Sequence, residues 1–290
     1  MNTPLTRRSV LKQLAVAGIG LPLLNQTAAV QAAETKTPPR TKAEFQLGVA
    51  LVSLKGMPLE QAIAAVRRVG LTNIAINRAH LPWENSPPGW IANLEKFKTG
   101  GVTARCAGVL YVKNDEKQIR TAFEYVRTLG VPICTCGPEP AALPLVEKFA
   151  KEYDIRVAIH NHGPEDKVWP TPQRIWDAIQ SMDSRIGLCL DVGHSYRAGA
   201  DPVDAIRRYR SRLYDIHLKD SDAAVGAVDD IPIEMGRGRM DLRGILAALI
   251  EIGYNQNVWF EYEKDPSDPL PGLAESVGYV RGLLKGMSIA

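Results

Sequence analysis

Short apolar runs alternate with longer amphipathic stretches along most of this chain. From residue 45 onward, eight runs have the apolar character of buried strands, and each is followed by apolar residues at helical spacing. Strand and helix signals that alternate in this way predict a parallel sheet covered by helices. The predicted strands are Phe45–Ser53, Thr72–Asn77, Val102–Tyr111, Val131–Cys136, Arg156–His162, Ile186–Val192, Leu213–Asp220 and Asn257–Glu263.

The helical segments carry recognisable start and stop signals. Gly70 and Gly130 stand where two of them end, and Thr171 with Pro172 forms a cap and first-turn pair before another. Eight strand–helix units between residues 45 and 290 match the size of a (β/α)₈ barrel. An open doubly wound sheet usually has a Gly-rich phosphate loop after its first strand, and none follows Gly48–Ser53. We therefore predict a single TIM barrel over residues 45–290.

The N-terminus has the pattern of an export signal. A basic stretch with paired arginines, Thr6–Lys12, precedes the apolar run Leu14–Leu24 and a small-residue segment. It resembles a twin-arginine signal, and the apolar run is shorter than the roughly 20 residues that span a bilayer. We predict a cleaved signal over residues 1–33, a flexible leader over 34–44, and export to the periplasm or beyond. A retained membrane anchor is the alternative, whereas the predicted processed chain has no stable membrane span.

Outside the predicted signal, the net charge gives little information about function. The net charge of +3 comes from three basic residues in the first 33 positions, which leaves 32 basic against 32 acidic residues in the remainder. A neutral chain does not favour a nucleic-acid partner, because such partners select a basic surface. The four cysteines all lie in or beside apolar runs, which predicts buried core residues and leaves oxidation of Cys134 and Cys136 open.

Histidines and acids cluster where the later strands end. The chain has only five histidines, and four of them fall at the ends of the fifth, sixth and seventh strands. Catalytic residues of TIM barrels lie at the carboxyl ends of the strands. Imidazole and carboxylate groups that converge there suit one divalent ion, namely Mn²⁺, Zn²⁺, Fe²⁺ or Co²⁺. The residues concerned are His160, His162, Asp191, His194, His217, Glu261 and Glu263.

These strand ends carry a family resemblance. The segments "VAIHNHG", "LCLDVGH", "YDIHLKD" and "IPIEMGRGRMDLRGILAALIEIGYNQNVWFEYE" resemble the xylose-isomerase-like TIM barrels, a superfamily of sugar isomerases, epimerases, inosose dehydratase and endonuclease IV. The resemblance covers strands five to eight strongly and the first half mainly by its rhythm. It implies one divalent metal held by His160, Asp191, His217 and Glu261, and a substrate contact from His194.

Position 160 departs from the family pattern. Many of the isomerases and epimerases have Glu there, and in the epimerases two ligand glutamates form the acid/base pair. With His160 in that place, only Glu261 of the pair remains, so two-base epimerisation is disfavoured. Proton abstraction beside a polarised carbonyl is retained, with Glu261 as base and His162, His194 or Lys219 as acid.

Three further side chains are candidates for substrate binding. Arg237 and Arg239 lie in a segment that resembles the Gly-X-Gly loop of the family, where an arginine can hold a sugar oxygen or a carboxylate. A plain tight turn is the alternative for that loop. Trp83, in the loop after the second strand, is a candidate sugar-stacking residue, and a dimer contact is its alternative. A homo-oligomer is compatible with this sequence.

Together these features predict an exported, metal-dependent enzyme that acts on a small sugar or keto-sugar. Phosphorylated sugars are mostly cytoplasmic, so export favours a free keto-sugar or a glycoside. We slightly prefer β-elimination from a 3-keto-sugar or 3-keto-glycoside over isomerisation. The alternatives are a non-catalytic sugar-binding barrel and, less favoured because of the neutral charge and scarce histidines, a DNA enzyme similar to endonuclease IV.

Overall fold

A closed barrel of eight parallel strands forms the centre of the protein. The computed structural model describes residues 42–84 and 87–288. Around the barrel the strand order is β1-β10-β7-β6-β5-β4-β3-β2, so chain neighbours are also spatial neighbours, as predicted for a TIM barrel. The barrel strands are β1 (Gln46–Ala50), β2 (Asn73–Ile76), β3 (Thr103–Val112), β4 (Ile133–Pro138), β5 (Arg156–His160), β6 (Ile186–Asp191), β7 (Leu213–Leu218) and β10 (Asn257–Phe260).

Helices cover the outside of the barrel, and an antiparallel pair of two-residue strands lies in the loop after β7. These short strands are β8 (Asp220–Ser221) and β9 (Pro232–Ile233). The helices are α1 (Leu59–Arg68), α2 (Pro87–Thr99), α3 (Glu116–Leu129), α4 (Leu143–Tyr153), α5 (Pro172–Ile179), α6 (Val192–Arg197), α7 (Pro202–Arg208), α8 (Leu242–Glu251) and α9 (Leu270–Met287). Single 3₁₀ turns cover Leu51–Leu54, Pro140–Ala142 and Arg210–Arg212.

The predicted helix ends are confirmed at two positions. The Thr171 hydroxyl accepts a hydrogen bond of 3.1 Å from the Arg174 backbone N–H, which caps α5. Gly130 follows α3 with φ of 65°, the left-handed conformation that glycine adopts without a steric penalty.

Several boundaries differ from the prediction. The strands that lead to the site end one to three residues earlier than predicted, namely β5 at His160, β6 at Asp191, β7 at Leu218 and β10 at Phe260, so Glu261 directly follows its strand. The first strand ends at Ala50 rather than Ser53, because Leu51–Leu54 form a 3₁₀ turn. His194 was expected in a loop after the sixth strand, but it lies in the six-residue helix α6. The Asp191 carboxylate starts this helix by accepting a hydrogen bond of 2.8 Å from the His194 backbone N–H. A helix this short has too few periodic positions to be recognised from its sequence.

Mostly apolar side chains fill the inside of the barrel below its upper rim. Each barrel strand except β7 contributes one member of a buried apolar cluster, and β7 contributes Asp215 at the equivalent depth. The cluster is Ala50, Ala75, Cys106, Ile133, Ala158, Cys189 and Trp259. We call these residues with Asp215 the lower layer. The larger core lies between the outer faces of the strands and the helices, where Cys134 and Cys136 pack.

All four cysteines are free and buried, so the prediction of buried core residues is confirmed. The predicted signal segment and the part of the predicted leader before residue 42 lie outside the described residues, and export stays a prediction. Among residues 42–84 and 87–288, no helix has the length and apolarity needed to cross a membrane.

Candidate metal centre

Four polar side chains converge at the carboxyl end of the barrel, directly above the lower layer. Alternate residues of a strand share a face, so a residue two positions beyond a lower-layer member also points into the barrel. One ligand atom from each of the four side chains lies within 4.8 Å of all the others, and all four side chains are buried. We call this set the upper layer, and it consists of His160, Asp191, His217 and Glu261.

Three potential ligand atoms of the upper layer have no hydrogen-bond partner. These atoms are His160 Nε2, Asp191 Oδ2 and His217 Nε2, and all three are buried. His160 Nε2 and Asp191 Oδ2 are 3.8 Å apart. Buried polar atoms are nearly always hydrogen-bonded, so three unpartnered atoms in one cluster require an explanation. A divalent cation accounts for them, because it binds imidazole nitrogen and carboxylate oxygen together.

Asp191 has two functions that are divided between its oxygens. Oδ1 caps α6 by accepting from the His194 backbone N–H, whereas Oδ2 is the unpartnered atom. The Asn161 side chain fixes the backbone of Asp191: its amide donates to Asp191 O at 3.1 Å, and its carbonyl accepts from Asp191 N at 3.0 Å. The carboxylate is therefore positioned by a helix start and by a neighbouring strand end.

Glu261 is held between two basic groups. Its Oε2 is 2.5 Å from His217 Nδ1, and its Oε1 is 2.8 Å from Lys219 Nζ. Burial alone would raise the pKa of Glu261, but Lys219 and His217 outweigh it and hold that pKa well below the usual value. Lys219 also contacts Glu263 Oε2 at 3.0 Å. Burial disfavours the ammonium, yet the surrounding carboxylates raise the pKa of Lys219 well above its usual value, so it stays charged.

The donor set is two imidazoles and two carboxylates. Such a set suits Zn²⁺, Mn²⁺, Fe²⁺ or Co²⁺, in agreement with the predicted cofactor class, and the metal identity is not established by it. Cys189 also lies close to His160 and His217. Burial, and then the charge of Asp215, raise the pKa of the Cys189 thiol well above its usual value. Since a metal ligand must be a thiolate, the carboxylates are the better partners.

A buried arginine orients His194 from behind. Arg197 Nη2 lies 2.7 Å from His194 Nδ1 and 2.6 Å from Glu165 Oε1, and its side chain is fully buried. A guanidinium can only donate, so His194 Nδ1 accepts and the neutral ring carries its hydrogen on Nε2. That nitrogen lies 3.4 Å from Lys219 Nζ and 3.9 Å from Asp191 Oδ2. The Lys219 ammonium can also only donate, so the much shorter Arg197 contact decides the tautomer and Lys219 makes no hydrogen bond to Nε2. Arg197 was not anticipated, because a spacing of three residues from His194 indicates a contact only on a helix, and α6 was not predicted.

Two adjoining cavities open at this end of the barrel. The first has a volume of about 170 Å³, and His160, His217, Glu261 and Glu263 contribute to its walls. The second has a volume of about 220 Å³. Four residues line both cavities and form their shared boundary, namely Val109, Tyr111, His160 and His162. His162 is therefore at the site as predicted, with its side chain 41% exposed, whereas Tyr111 was not anticipated.

None of the four predicted substrate-binding residues lines either cavity, although His194 lies beside Asp191 at the upper layer. Trp83 is 5% exposed and packs in the outer core. Arg237 forms a two-bond pair with Glu275 on α9, at 2.6 and 2.7 Å. Arg239 contacts Asp222 and lines a separate groove of about 360 Å³.

The orientation of the Gly-X-Gly loop explains where these arginines point. The carboxylate of Asp220 accepts hydrogen bonds from the backbone N–H groups of Gly236, Gly238 and Met240. This gathers the loop around Asp220, while both arginine side chains extend outward and are about half exposed. The prediction that they hold a sugar is thus not supported by their position.

The closed parallel barrel, with its ligand cluster at the carboxyl ends of the strands, defines a TIM-barrel protein with a candidate metal site. Residues 116–283, more than half of the chain, match the family described as "Xylose isomerase-like TIM barrel". The chain belongs to that family, as its strand-end motifs indicated.

Similar proteins agree with this placement. An inosose dehydratase of Geobacillus kaustophilus is 28% identical over an alignment that covers 79% of this chain and 90% of that relative. A probable endonuclease 4 of Mycobacterium tuberculosis is 35% identical over a shorter match, 35% of this chain and 42% of the relative. The crystal structure of IOLI protein with a bound zinc atom superposes with a TM-score of 0.69 at 17% identity, over 83% of this chain and 99% of that one. The last comparison establishes a shared fold.

Proposed function

We propose that this protein is an exported, divalent-metal-dependent enzyme that removes a proton next to the carbonyl of a keto-sugar. The observation that carries this proposal is the upper layer, with three unpartnered ligand atoms beside a carboxylate held between His217 and Lys219. The similarity to an inosose dehydratase over most of both chains supports a sugar or related polyol as substrate and elimination as the reaction.

The four upper-layer side chains would hold the ion. When bound, a divalent cation supplies a Lewis acid that polarises the carbonyl of the substrate. Glu261 is the base, because its low pKa keeps it unprotonated and because it lies on the cavity wall. Lys219 stays charged beside Glu261 and stabilises negative charge as it develops.

Elimination is the preferred outcome, with a 3-keto-glycoside as substrate. Glu261 takes the proton from C2, and the electrons of that C–H bond form a C1–C2 double bond as the C1–O bond breaks. The leaving oxygen takes a proton from His162, which lies at the boundary of the two cavities. The products are an enone sugar and an alcohol, so no oxidant or reductant is required. His160 replaces the second glutamate of the epimerase pattern, which supports removal of a proton from one face only.

Metal analysis with turnover measurements tests this proposal. The wild-type chain purified without chelator should contain about one equivalent of Mn, Zn, Fe or Co, and His160→Ala should contain less. Methyl 3-keto-β-D-glucoside should give an enone that is measured by its ultraviolet absorbance. Glu261→Gln should abolish this signal. A metal-loaded protein that binds the sugar without turnover would instead indicate a non-catalytic sugar-binding barrel, and a rearranged keto-sugar would indicate isomerisation.

A role on DNA has less support. The match to an endonuclease 4 covers 35% of this chain, and the charge outside the first 33 residues is balanced. Among residues 42–84 and 87–288, the two groups that could hold a metal share His160 and His217, so they describe one site. Cleavage of an abasic duplex by the metal-loaded protein would overturn this assignment.

A further inference from the structure

The second cavity has a different chemical character from the cavity beside the metal ligands. Its walls include Val109, Tyr111, Pro138, Val168 and Trp169, and it meets the first cavity at His160 and His162. We call this 220 Å³ cavity the apolar lobe. An apolar protein cavity of about 150 Å³ is large enough to bind benzene, so the apolar lobe has room for a substituted aromatic ring.

The polar groups around the apolar lobe are largely used within the protein. Trp169 Nε1 donates to Pro138 O at 2.8 Å, and Asp166 Oδ1 accepts from the backbone N–H groups of Val168 and Trp169 at 2.7 and 3.2 Å. Glu139 Oε2 accepts from the Asn114 backbone N–H at 3.1 Å. A second sugar ring needs several hydrogen-bond partners, whereas an aromatic group needs apolar contact.

Two side chains at the junction suit a flat group attached to a sugar. The Tyr111 side chain is 51% exposed, and its ring centroid is 6.3 Å from that of His162. The Tyr111 ring therefore presents an aromatic surface at the entrance of the apolar lobe. His162 Nδ1 lies 3.8 Å from Asp166 Oδ2, which is too far for a hydrogen bond.

We propose that the apolar lobe binds the aromatic aglycone of a 3-keto-glycoside whose sugar carbonyl lies at the upper layer. This inference rests on the proposed function and narrows its substrate class to aryl glycosides. The bond that breaks joins sugar C1 to the aglycone oxygen, so it lies where the two cavities meet. His162 is at that boundary and gives its proton to the departing phenolic oxygen, while the C–H electrons become the new double bond.

A matched pair of variants tests the apolar lobe. Val168→Trp fills it, and Lys167→Trp places the same side chain at the exposed neighbouring position outside its lining. Rates are compared as the ratio of kcat/KM for phenyl over methyl 3-keto-β-D-glucoside. Phenol is a better leaving group than methanol in every variant, so this difference cancels when the ratio is compared between variants. We expect Val168→Trp to lower this ratio about tenfold or more, and Lys167→Trp to leave it within about twofold of wild type.

A binding measurement separates failure of this inference from failure of the proposed reaction. Saturation-transfer NMR uses unoxidised phenyl β-D-glucoside and cellobiose with the metal-loaded protein. Strong transfer to the phenyl protons in wild type, and its loss in Val168→Trp, would support the apolar lobe. If neither keto-glycoside reacts, that result would refute the proposed reaction but not the apolar lobe. Turnover with an unchanged ratio in Val168→Trp overturns the apolar lobe and keeps the reaction. Stronger transfer to both rings of cellobiose overturns the aromatic class in favour of a disaccharide.

Discussion

The upper and lower layers of the barrel interior are equally buried but differ in how their polar atoms are satisfied. In the lower layer, the Asp215 carboxylate accepts from Thr135 Oγ1 at 2.7 Å and from Trp259 Nε1 at 2.5 Å. In the upper layer, His160 Nε2 and Asp191 Oδ2 have no partner. On the four strands that carry both layers, the two layers are only two residues apart, so burial does not distinguish them.

This difference in hydrogen bonding distinguishes a polar group that stabilises the fold from one that can bind a ligand. A buried carboxylate with two close donors closes its own network and helps to define a single arrangement of the barrel. Unpartnered ligand atoms are a cost in the metal-free chain, and that cost is recovered only when an ion binds. Hydrogen-bond satisfaction, rather than burial, therefore indicates which layer acts on a ligand.

The largest expected effect is on turnover in the upper layer. Glu261→Gln keeps the shape of the side chain but removes the base, so we expect kcat on methyl 3-keto-β-D-glucoside to fall about 10³-fold, equivalent to about 4 kcal/mol. Steady-state kinetics at saturating metal measures this. The corresponding lower-layer variant Asp215→Asn serves as the comparison, and a smaller loss of kcat in Glu261→Gln than in Asp215→Asn would contradict the division between the layers.

Stability should show the reverse order. Asp215→Ala leaves the Trp259 indole N–H and the Thr135 hydroxyl buried without their acceptor, so the free energy of unfolding should fall by about 3 kcal/mol. Asp191→Asn in the metal-free chain should change it by less than about 1 kcal/mol, because the amide oxygen still caps α6 and an unpartnered charge is removed. Urea denaturation of both variants in chelator measures this difference. Equal losses would show that both layers are structural.

Metal should stabilise the protein through the upper layer alone. At a free metal concentration of 100 times Kd, the free energy of unfolding should rise by about 2.7 kcal/mol. His160→Ala should show a smaller rise at the same metal concentration, and Asp215→Asn should show the wild-type rise. Thermal unfolding with Mn²⁺ or Zn²⁺, followed by chelator, tests this. A wild-type chain with no metal-dependent shift would refute the metal centre.

The smallest expected effect concerns the orientation of His194. Because Arg197 donates to His194 Nδ1, the imidazole should be in the Nε2–H form, and Arg197→Met should lower kcat/KM about tenfold. Long-range ¹H–¹⁵N NMR distinguishes the two neutral tautomers, and the signals that disappear in His194→Phe identify this ring. Glu165→Gln, which keeps the arginine, should retain the tautomer. An Nδ1–H ring in the wild-type protein would refute this orientation.

Much of the fold follows from local signals. The period of the apolar positions, the cap at Thr171 and the stop at Gly130 depend on near neighbours in the chain, and these elements occur in the structure as predicted. The short helix α6 was not predicted, because its start depends on a side-chain contact and not on the period of the apolar positions. It begins where the Asp191 side chain reaches the His194 N–H, a contact that a pattern of apolar positions does not record.

Some residues of the candidate site were predicted correctly, whereas the positions of others depended on the tertiary structure. Parallel strands must end together, which predicted a polar cluster at the strand ends, and the resemblance to the xylose-isomerase-like barrels implied its ligands. The structure places ligand atoms of those four residues, His160, Asp191, His217 and Glu261, within 4.8 Å of one another. Trp83 was expected to stack on a sugar, but it is 5% exposed and packs in the outer core. Whether a tryptophan in a loop faces solvent or the core depends on contacts with residues distant in the chain. Arg237 is likewise turned away by Glu275, which is 38 residues further along the chain.

The sequence by itself determined the barrel and the strand ends at which polar side chains would meet, because both depend on periodicity and on the parallel direction of the strands. Only the tertiary structure decided which of those polar atoms are satisfied, since hydrogen bonds such as that between Trp259 and Asp215 join residues 44 positions apart. It also decided that an apolar cavity adjoins the ligand cluster, because the walls of that cavity come from the ends and loops of three different strands.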